Sequence, residues 1–224
     1  MSMRRPARGG PKTRKIKMEK IKVLCIGRQL GSDGGQIGRE AADKLGIPFY
    51  DKDILNRAIA NTDIPPELLE KYDEKKVNTL LHTIIYQGTN KSFYGKNGSE
   101  ILFELQRNLI LEDASKGPGV FVGRCADAVL KNRPGIEALS IFIAAPVQDR
   151  ITRVMQRDGI SEKEAAAAVQ NADKHRKAYY EFYADKIWGN PADYDLTVNS
   201  SAWDRETLID SLCRLYESFE RHKT

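Results

Sequence analysis

Residues 21–45 read IKVLCIGRQLGSDGGQIGREAADKL, and this stretch decides the fold. Residues 21–26 are a β-type apolar run. A glycine-rich turn follows, GRQLGSDGG at 27–35, and residues 36–45 then repeat apolar side chains at helical spacing, with Ile37, Ala41 and Leu45 on one side. Strand, glycine loop and helix open a βαβ unit. Such a turn aims backbone N–H groups and the positive end of a helix at one point, an arrangement that suits a phosphate. Gly46 stands where a glycine commonly ends a helix.

Working outward, residues 47–50 form a second short strand that delivers Asp51 and Asp53, and Asp53 can cap a helix at 54–60. From Pro65 the texture turns helical, with Leu68, Leu69, Val77, Leu80, Leu81, Ile84 and Ile85 at helical spacing. A polar loop, QGTNKSFYGKNGS, closes this stretch, so residues 61–99 read as a helical insert. Residues 99–116 return to helix and 120–122 to a buried strand ending at Gly123 and Arg124. Residues 138–144 form the next strand, followed by a helix with Pro146 at its first position. Ser161 and Glu164 form a capping box that opens a long helix to about residue 184. A strand at 194–198 and a helix at 206–219 complete the chain. Five short strands alternating with helices predict a doubly wound α/β fold, a five-stranded parallel sheet covered on both faces.

The formal charge of +5 misleads until it is divided. Of 36 Lys and Arg, eight lie in residues 1–20 with one of the 31 acids, so the rest of the chain carries 28 bases against 30 acids. The basic excess belongs to a solvated tail with Pro6, Gly9, Gly10 and Pro11 among its cations. Nucleic-acid or anionic-lipid binding is therefore expected only through that tail, and Met18 offers an alternative start. Three distant cysteines, Cys25, Cys125 and Cys213, predict reduced thiols and a cytoplasmic protein. The longest apolar stretch, 138–145, is interrupted by Ser140 and falls far short of the roughly 20 residues of a spanning helix.

Two phosphate-loop templates can be laid on the turn. The dinucleotide spacing GxGxxG is absent, because the glycines fall at 27, 31, 34, 35 and 38. GxxxxGK[ST] fails literally as well. The architecture survives without those handles. The segments GRQLGSDGGQIGREAADKLGIPFYD (27–51), GVFVGRCADAVL (119–130), IFIAAPVQDRITRVMQRDGIS (141–161), DKHRKAYYEFY (173–183) and WGNPADYDLTVNS (188–200) nevertheless fall in the order and spacing of a known family. Together they resemble the cytidylate-kinase-like branch of the P-loop nucleoside monophosphate kinases.

That resemblance implies transfer of the ATP γ-phosphoryl group to a nucleoside monophosphate of the CMP or dCMP kind, with Mg²⁺. It places Gly31, Ser32, Gly34, Gly35 and Gln36 around the donor phosphates. Asp51 and Arg57 lead into the acceptor site, where Arg57 and Arg124 hold the acceptor phosphate. Arg150 and Arg153, with Asp173 and Arg176 of a D-x-x-R pattern in a lid at about 157–190, close over the transferred group. Convergent arginines suit two polyanions independently of any family, since guanidinium binds phosphate at two points. Arg150, Arg153 and Arg157 share about a 60° arc of one helix beside a stripe of Val147, Ile151, Val154 and Met155, either as a phosphate-facing row or as a solvated face.

The chain also departs from the family. Gly34 stands at the loop lysine and Gln36 at the magnesium-binding hydroxyl, so a phosphate-binding module without kinase activity is the alternative function. Arg28 or Arg39 is the neighbouring cation that could replace the lysine. Asp33 either turns outward or binds Mg²⁺, because a bare carboxylate beside a triphosphate is repulsive. Cys125-Ala126-Asp127 replaces Asp-Ile-Gly after Arg124, leaving Asp127 either to assist acceptor binding or to favour the N-terminus of the next helix. Tyr179, Tyr180, Phe182, Tyr183 and Trp188 either stack a base or pack a core. The scattered His82, His175 and His222 offer no zinc site. The insert is the expected interface of any homo-oligomer.

Overall fold

Five parallel strands in the order β2-β3-β1-β4-β5 form the centre of a computed structural model that describes residues 20–51, 53, 54, 57 and 98–220. The elements are β1 (Ile21–Arg28), α1 (Gly34–Leu45), β2 (Phe49–Tyr50), α2 (Gly98–Lys116), β3 (Gly119–Val122), α3 (Ala126–Leu130), β4 (Ile136–Ala144), α4 (Val147–Asp158), α5 (Glu162–Ala184), β5 (Leu196–Asn199) and α6 (Arg205–Ser218). Central β1 pairs with β3 through Val23–Gly119 to Ile26–Val122, and with β4 along its whole length. Most of the basic tail, residues 61–97 of the insert expected at 61–99, and most of the helix expected at 54–60 lie outside the described residues.

Alternation along β1 divides the core in two. Leu24 and Ile26 pack with Ile37 and Ala41 of α1 and Leu208 and Leu212 of α6, while Val23 and Cys25 pack with Ile110 of α2 and Ala126 and Leu130 of α3. The inner strands β1, β3 and β4 are buried on both faces, as a covered parallel sheet requires, while the edge strands β2 and β5 are partly exposed. A third cluster joins Ile151 and Val154 of α4 to Ala165 and Val169 of α5. Val147, expected in that stripe, is 56% exposed and takes no part in this cluster.

Local signals behave as their chemistry dictates. Gly46 ends α1 at φ 65°, its N–H bonding Ala42 O and Asp43 O. Ser161 and Glu164 complete a reciprocal capping box at the start of α5. Pro146 is the N-cap of α4 rather than its first helical residue. The helix after the glycine loop begins at Gly34, two residues earlier than its apolar period shows, because Asp33 takes the left-handed turn (φ 60°) that starts it.

Candidate functional site

The topology itself locates a crevice. β1 leads to α1 on one face of the sheet and its neighbour β3 leads to α3 on the other, so the chain divides at the carboxyl ends of these two strands. Open parallel sheets bind ligands at such a switch point. A cleft of about 420 Å³ opens there, lined by residues 28–31 and 33–36 of the glycine loop together with Asp51, Arg124, Arg157 and Arg176. Four arginines against two aspartates make the lining cationic.

The loop's form explains its glycines. Gly31 has φ 75°, and a Cβ there would lie 2.5 Å from the Arg150 carbonyl oxygen. Ser32 is fully buried and its hydroxyl donates to Gln29 O at 2.9 Å, so it is turned away from the cleft. Asp33 makes no capping bond to the helix it starts. Its carboxylate, in the cleft lining, pairs instead with Arg153 at 3.6 Å and Arg205 at 3.7 Å, which offset its charge. The first N–H groups of α1 are thus left without a side-chain cap where Gly34, Gly35 and Gln36 line the cleft, the arrangement that attracts an anion.

The arginine row on α4 works differently from its sequence reading. Arg150 is buried and donates to Leu30 O at 3.2 Å, Ala145 O at 3.1 Å and Asp173 Oδ2 at 2.6 Å. Asp173 also accepts Leu30 N–H at 2.9 Å. Arg153 donates to Gly31 O at 3.2 Å and reaches the hydroxyls of Ser200 and Ser201. These three residues grip the loop from behind and do not line the cleft; the loop carbonyls face the row and take up its donors. Arg157, one turn further along, does line the cleft, with Asp158 as its partner. Arg176 also lines it, and its Nη1 donates to Arg28 O at 3.3 Å.

Other expected residues divide between the cleft and its support. Arg28 and Asp51 line the cleft together and meet at 3.5 Å. Arg124 lines it from the end of β3, in a turn where Gly123, Arg124 and Cys125 all have positive φ (75°, 54° and 55°). Two non-glycine residues held this way are strained, and such strain concentrates at functional sites. Arg57 lies instead in a two-point grip of Asp113 on α2, at 2.9 and 3.1 Å, outside the cleft lining. Arg39 stacks over Phe49 at 4.2 Å and likewise takes no part in the lining.

Asp127 settles behind the cleft. From the first turn of α3 it accepts the Tyr180 hydroxyl at 2.6 Å and Lys186 Nζ at 3.2 Å, and it lines a second, smaller pocket together with Arg28, Arg124 and Arg176. Burial, and then the Asp127 charge, pushes the Tyr180 hydroxyl well above the ordinary tyrosine range, keeping it a neutral donor. The aromatic residues also divide: Tyr180 packs with Phe142 and Tyr194, Tyr183 stacks on Phe103 at 4.1 Å, and Phe182 is 71% exposed. Burial raises the Cys25 and Cys125 thiols, and all three cysteines are free. Sequence reasoning missed Arg205, which joins Asp33 to Glu40, and Lys186; both meet partners too distant along the chain to leave a local pattern. Among the described residues no three His, Cys, Asp or Glu side chains gather as around a metal ion, and no helix is long and apolar enough to cross a membrane.

Fold and cleft together define a doubly wound α/β protein with a cationic cleft at its switch point. The sequence model of the cytidylate kinase-like family matches residues 23–202, and the chain belongs to that family. It is 35% identical over 117 residues to a cytidylate kinase of Pyrococcus horikoshii, covering 52% of this chain and 58% of that one. It is 35% identical over 105 residues to a cytidylate kinase of Thermococcus kodakarensis, covering 46% and 51%. The chain thus spans about half the length of these relatives. A crystal structure of an uncharacterized protein from Eubacterium ventriosum superposes with TM-score 0.65 at 26% identity, over 88% of this chain and 99% of that one.

Proposed function

We propose that the protein transfers the γ-phosphoryl group of ATP to a nucleoside monophosphate of the CMP or dCMP kind. The observation that carries this reading is the convergence of Arg28, Arg124, Arg157 and Arg176 on the uncapped start of α1. Phosphoryl transfer asks a protein mainly for alignment and for positive charge around the moving oxygens. An acceptor phosphate oxygen forms a bond to the γ-phosphorus, the bond from that phosphorus to the β,γ-bridging oxygen breaks, and ADP leaves.

In this reading the N–H groups at 34–36 hold the donor phosphates and Arg124 holds the acceptor, with Arg157 and Arg176 facing the group in transit. The stretch at 157–190 acts as the lid, and Asp173 with Arg150 ties it to the loop. A closed lid keeps water from consuming ATP. The cationic lining fits a triphosphate. Magnesium would arrive on those phosphates and neutralise their oxygens, and the cleft offers it the Gln36 amide and the Asp51 carboxylate.

The test is a coupled assay of ADP formation from ATP and Mg²⁺ with CMP, dCMP, UMP and AMP, run beside thermal-shift titrations. Turnover with a pyrimidine monophosphate is expected. Stabilisation by nucleotides without ADP formation from any acceptor would overturn the reading in favour of a binding module, which the inward-turned Ser32 hydroxyl and the side-chain-free Gly34 favour.

A further inference from the structure

We propose that Arg28 is the residue that reads the terminal phosphates of the donor, and that Gly34 and Gly123 are the gap that admits it. The proposal rests on the cleft being a nucleotide site and names which of its cations addresses the β- and γ-phosphates.

Three observations carry it. A Cβ on Gly34 would lie 2.6 Å from Arg28 Cβ, 3.3 Å from Arg28 Cγ and 3.2 Å from Ile143 Cβ. The space in which a residue-34 side chain would begin is therefore occupied by the stem of Arg28, entering from the strand rather than from the helix. Across the crevice, a Cβ on Gly123 would overlap the Arg28 guanidinium. Both walls have given up their side chains along the path of one arginine. The head then reaches Asp51 Oδ1 at 3.5 Å, inside the cleft lining, a longer contact than the 2.9 and 3.1 Å that hold Arg57 on Asp113.

The Asp51 contact is long and runs through one nitrogen, Nη2. A terminal phosphate carries more negative charge than a carboxylate and offers the two-point geometry that guanidinium prefers. Asp51 thus acts as the resting partner from which Arg28 turns to the phosphate. The backbone of Arg28 is pinned meanwhile, because its carbonyl accepts Arg176 Nη1 from α5. Arg39, the other cation near the loop, is engaged over the Phe49 ring and lies off this path.

The test compares calorimetric affinities for ATP and AMP, with Mg²⁺ held constant, across wild type, Arg28→Ala, Arg28→Gln, Arg39→Ala and Gly34→Lys. Wild type is expected to prefer ATP. Arg28→Ala and the shape-conserving Arg28→Gln should each lower ATP affinity about tenfold to a hundredfold while changing AMP affinity little, as for loss of a charge-assisted bond. Arg39→Ala should keep the preference. Gly34→Lys should weaken ATP binding, since the new stem displaces Arg28. If wild type shows no preference for ATP, the nucleotide reading of the cleft falls together with this proposal. If wild type prefers ATP and Arg28→Gln keeps that preference, or Gly34→Lys strengthens it, the role of Arg28 alone is overturned.

Discussion

Arg150 Nη1 lies 2.6 Å from Asp173 Oδ2, and the other oxygen of that carboxylate accepts the N–H of Leu30 at 2.9 Å. One pair thus joins α4, α5 and the glycine loop. The side chains are only 8% and 16% exposed, so removing one partner strands a charge in a poorly solvated place. Arg150→Met and Asp173→Ala should each cost about 3 kcal/mol, roughly 6–12 °C in Tm for a domain of this size. The double variant should cost less than the two combined; thermal unfolding of the four proteins checks this, and strict additivity would remove the pair from the account.

Gly31 and Gly123 predict opposite outcomes for the same substitution. Gly31→Ala sets its Cβ against the backbone of Arg150, at 2.5 Å from O and 2.9 Å from Cα, and nothing there can turn aside. Together with φ 75° this should destabilise by at least about 2 kcal/mol. Gly123→Ala meets only the far end of Arg28, a flexible side chain. Its stability loss should stay near the 1–2 kcal/mol of a positive φ while the ATP preference collapses. Denaturant unfolding and nucleotide titration of the two variants check the contrast, which equal effects on both would contradict.

Acid should destabilise the fold through carboxylates held below their ordinary pKa, among them Glu40, Glu164 and Asp204. Arg205 hydrogen bonds lower Glu40, the Ser161 hydroxyl lowers Glu164, and the Thr207 N–H lowers Asp204. A carboxylate depressed in the folded state contributes stability present above its unfolded pKa and lost as pH falls through the folded one. The ordinary values are 4.5 for the two glutamates and 3.8 for the aspartate, so these contributions should be intact above about pH 5 and fade below about pH 4. Scanning calorimetry across pH 3–7 should show that decline, with a shallower acid limb in Glu40→Gln. A Tm that stays level down to pH 3 would contradict it.

Tyr180→Phe isolates the support behind Arg124. The variant keeps the ring among Phe142 and Tyr194 but withdraws the 2.6 Å donor from buried Asp127. A buried acceptor losing one bond should cost about 1–3 kcal/mol. Lys186 still pairs with the carboxylate, so the protein should remain folded, with a lower Tm and unchanged secondary structure by circular dichroism. An unchanged Tm would show that the bond contributes nothing.

The fold was legible because its signals are local. Apolar runs, the Gly46 terminator and the Ser161–Glu164 box depend on neighbours within a few residues. The cleft was legible in part for the same reason: Arg28, the glycines and Arg124 all lie at strand ends, where a parallel sheet gathers its loops. Arg150 and Arg153 were legible as a row but not as supports. Helical spacing shows that two arginines share a side, and it does not show whether a ligand or the carbonyls of Leu30 and Gly31 will face them. Arg205 meets Glu40 across 165 residues of sequence, a separation at which no spacing rule operates. Arg57 could be read toward an acceptor phosphate from its place after β2, but the buried Asp113 that takes it lies on α2.

The central claim is that the cleft between the glycine loop and the end of β3 holds the phosphates of a nucleotide. A crystal structure with a non-hydrolysable ATP analogue and Mg²⁺ tests it most directly. The account predicts the phosphate chain over the N–H groups of residues 34–36, with Arg28 turned from Asp51 onto the terminal phosphates and Arg124 facing the space beyond them. A triphosphate bound elsewhere, or bound here with Arg28 still on Asp51 and its guanidinium beyond contact distance, would contradict it.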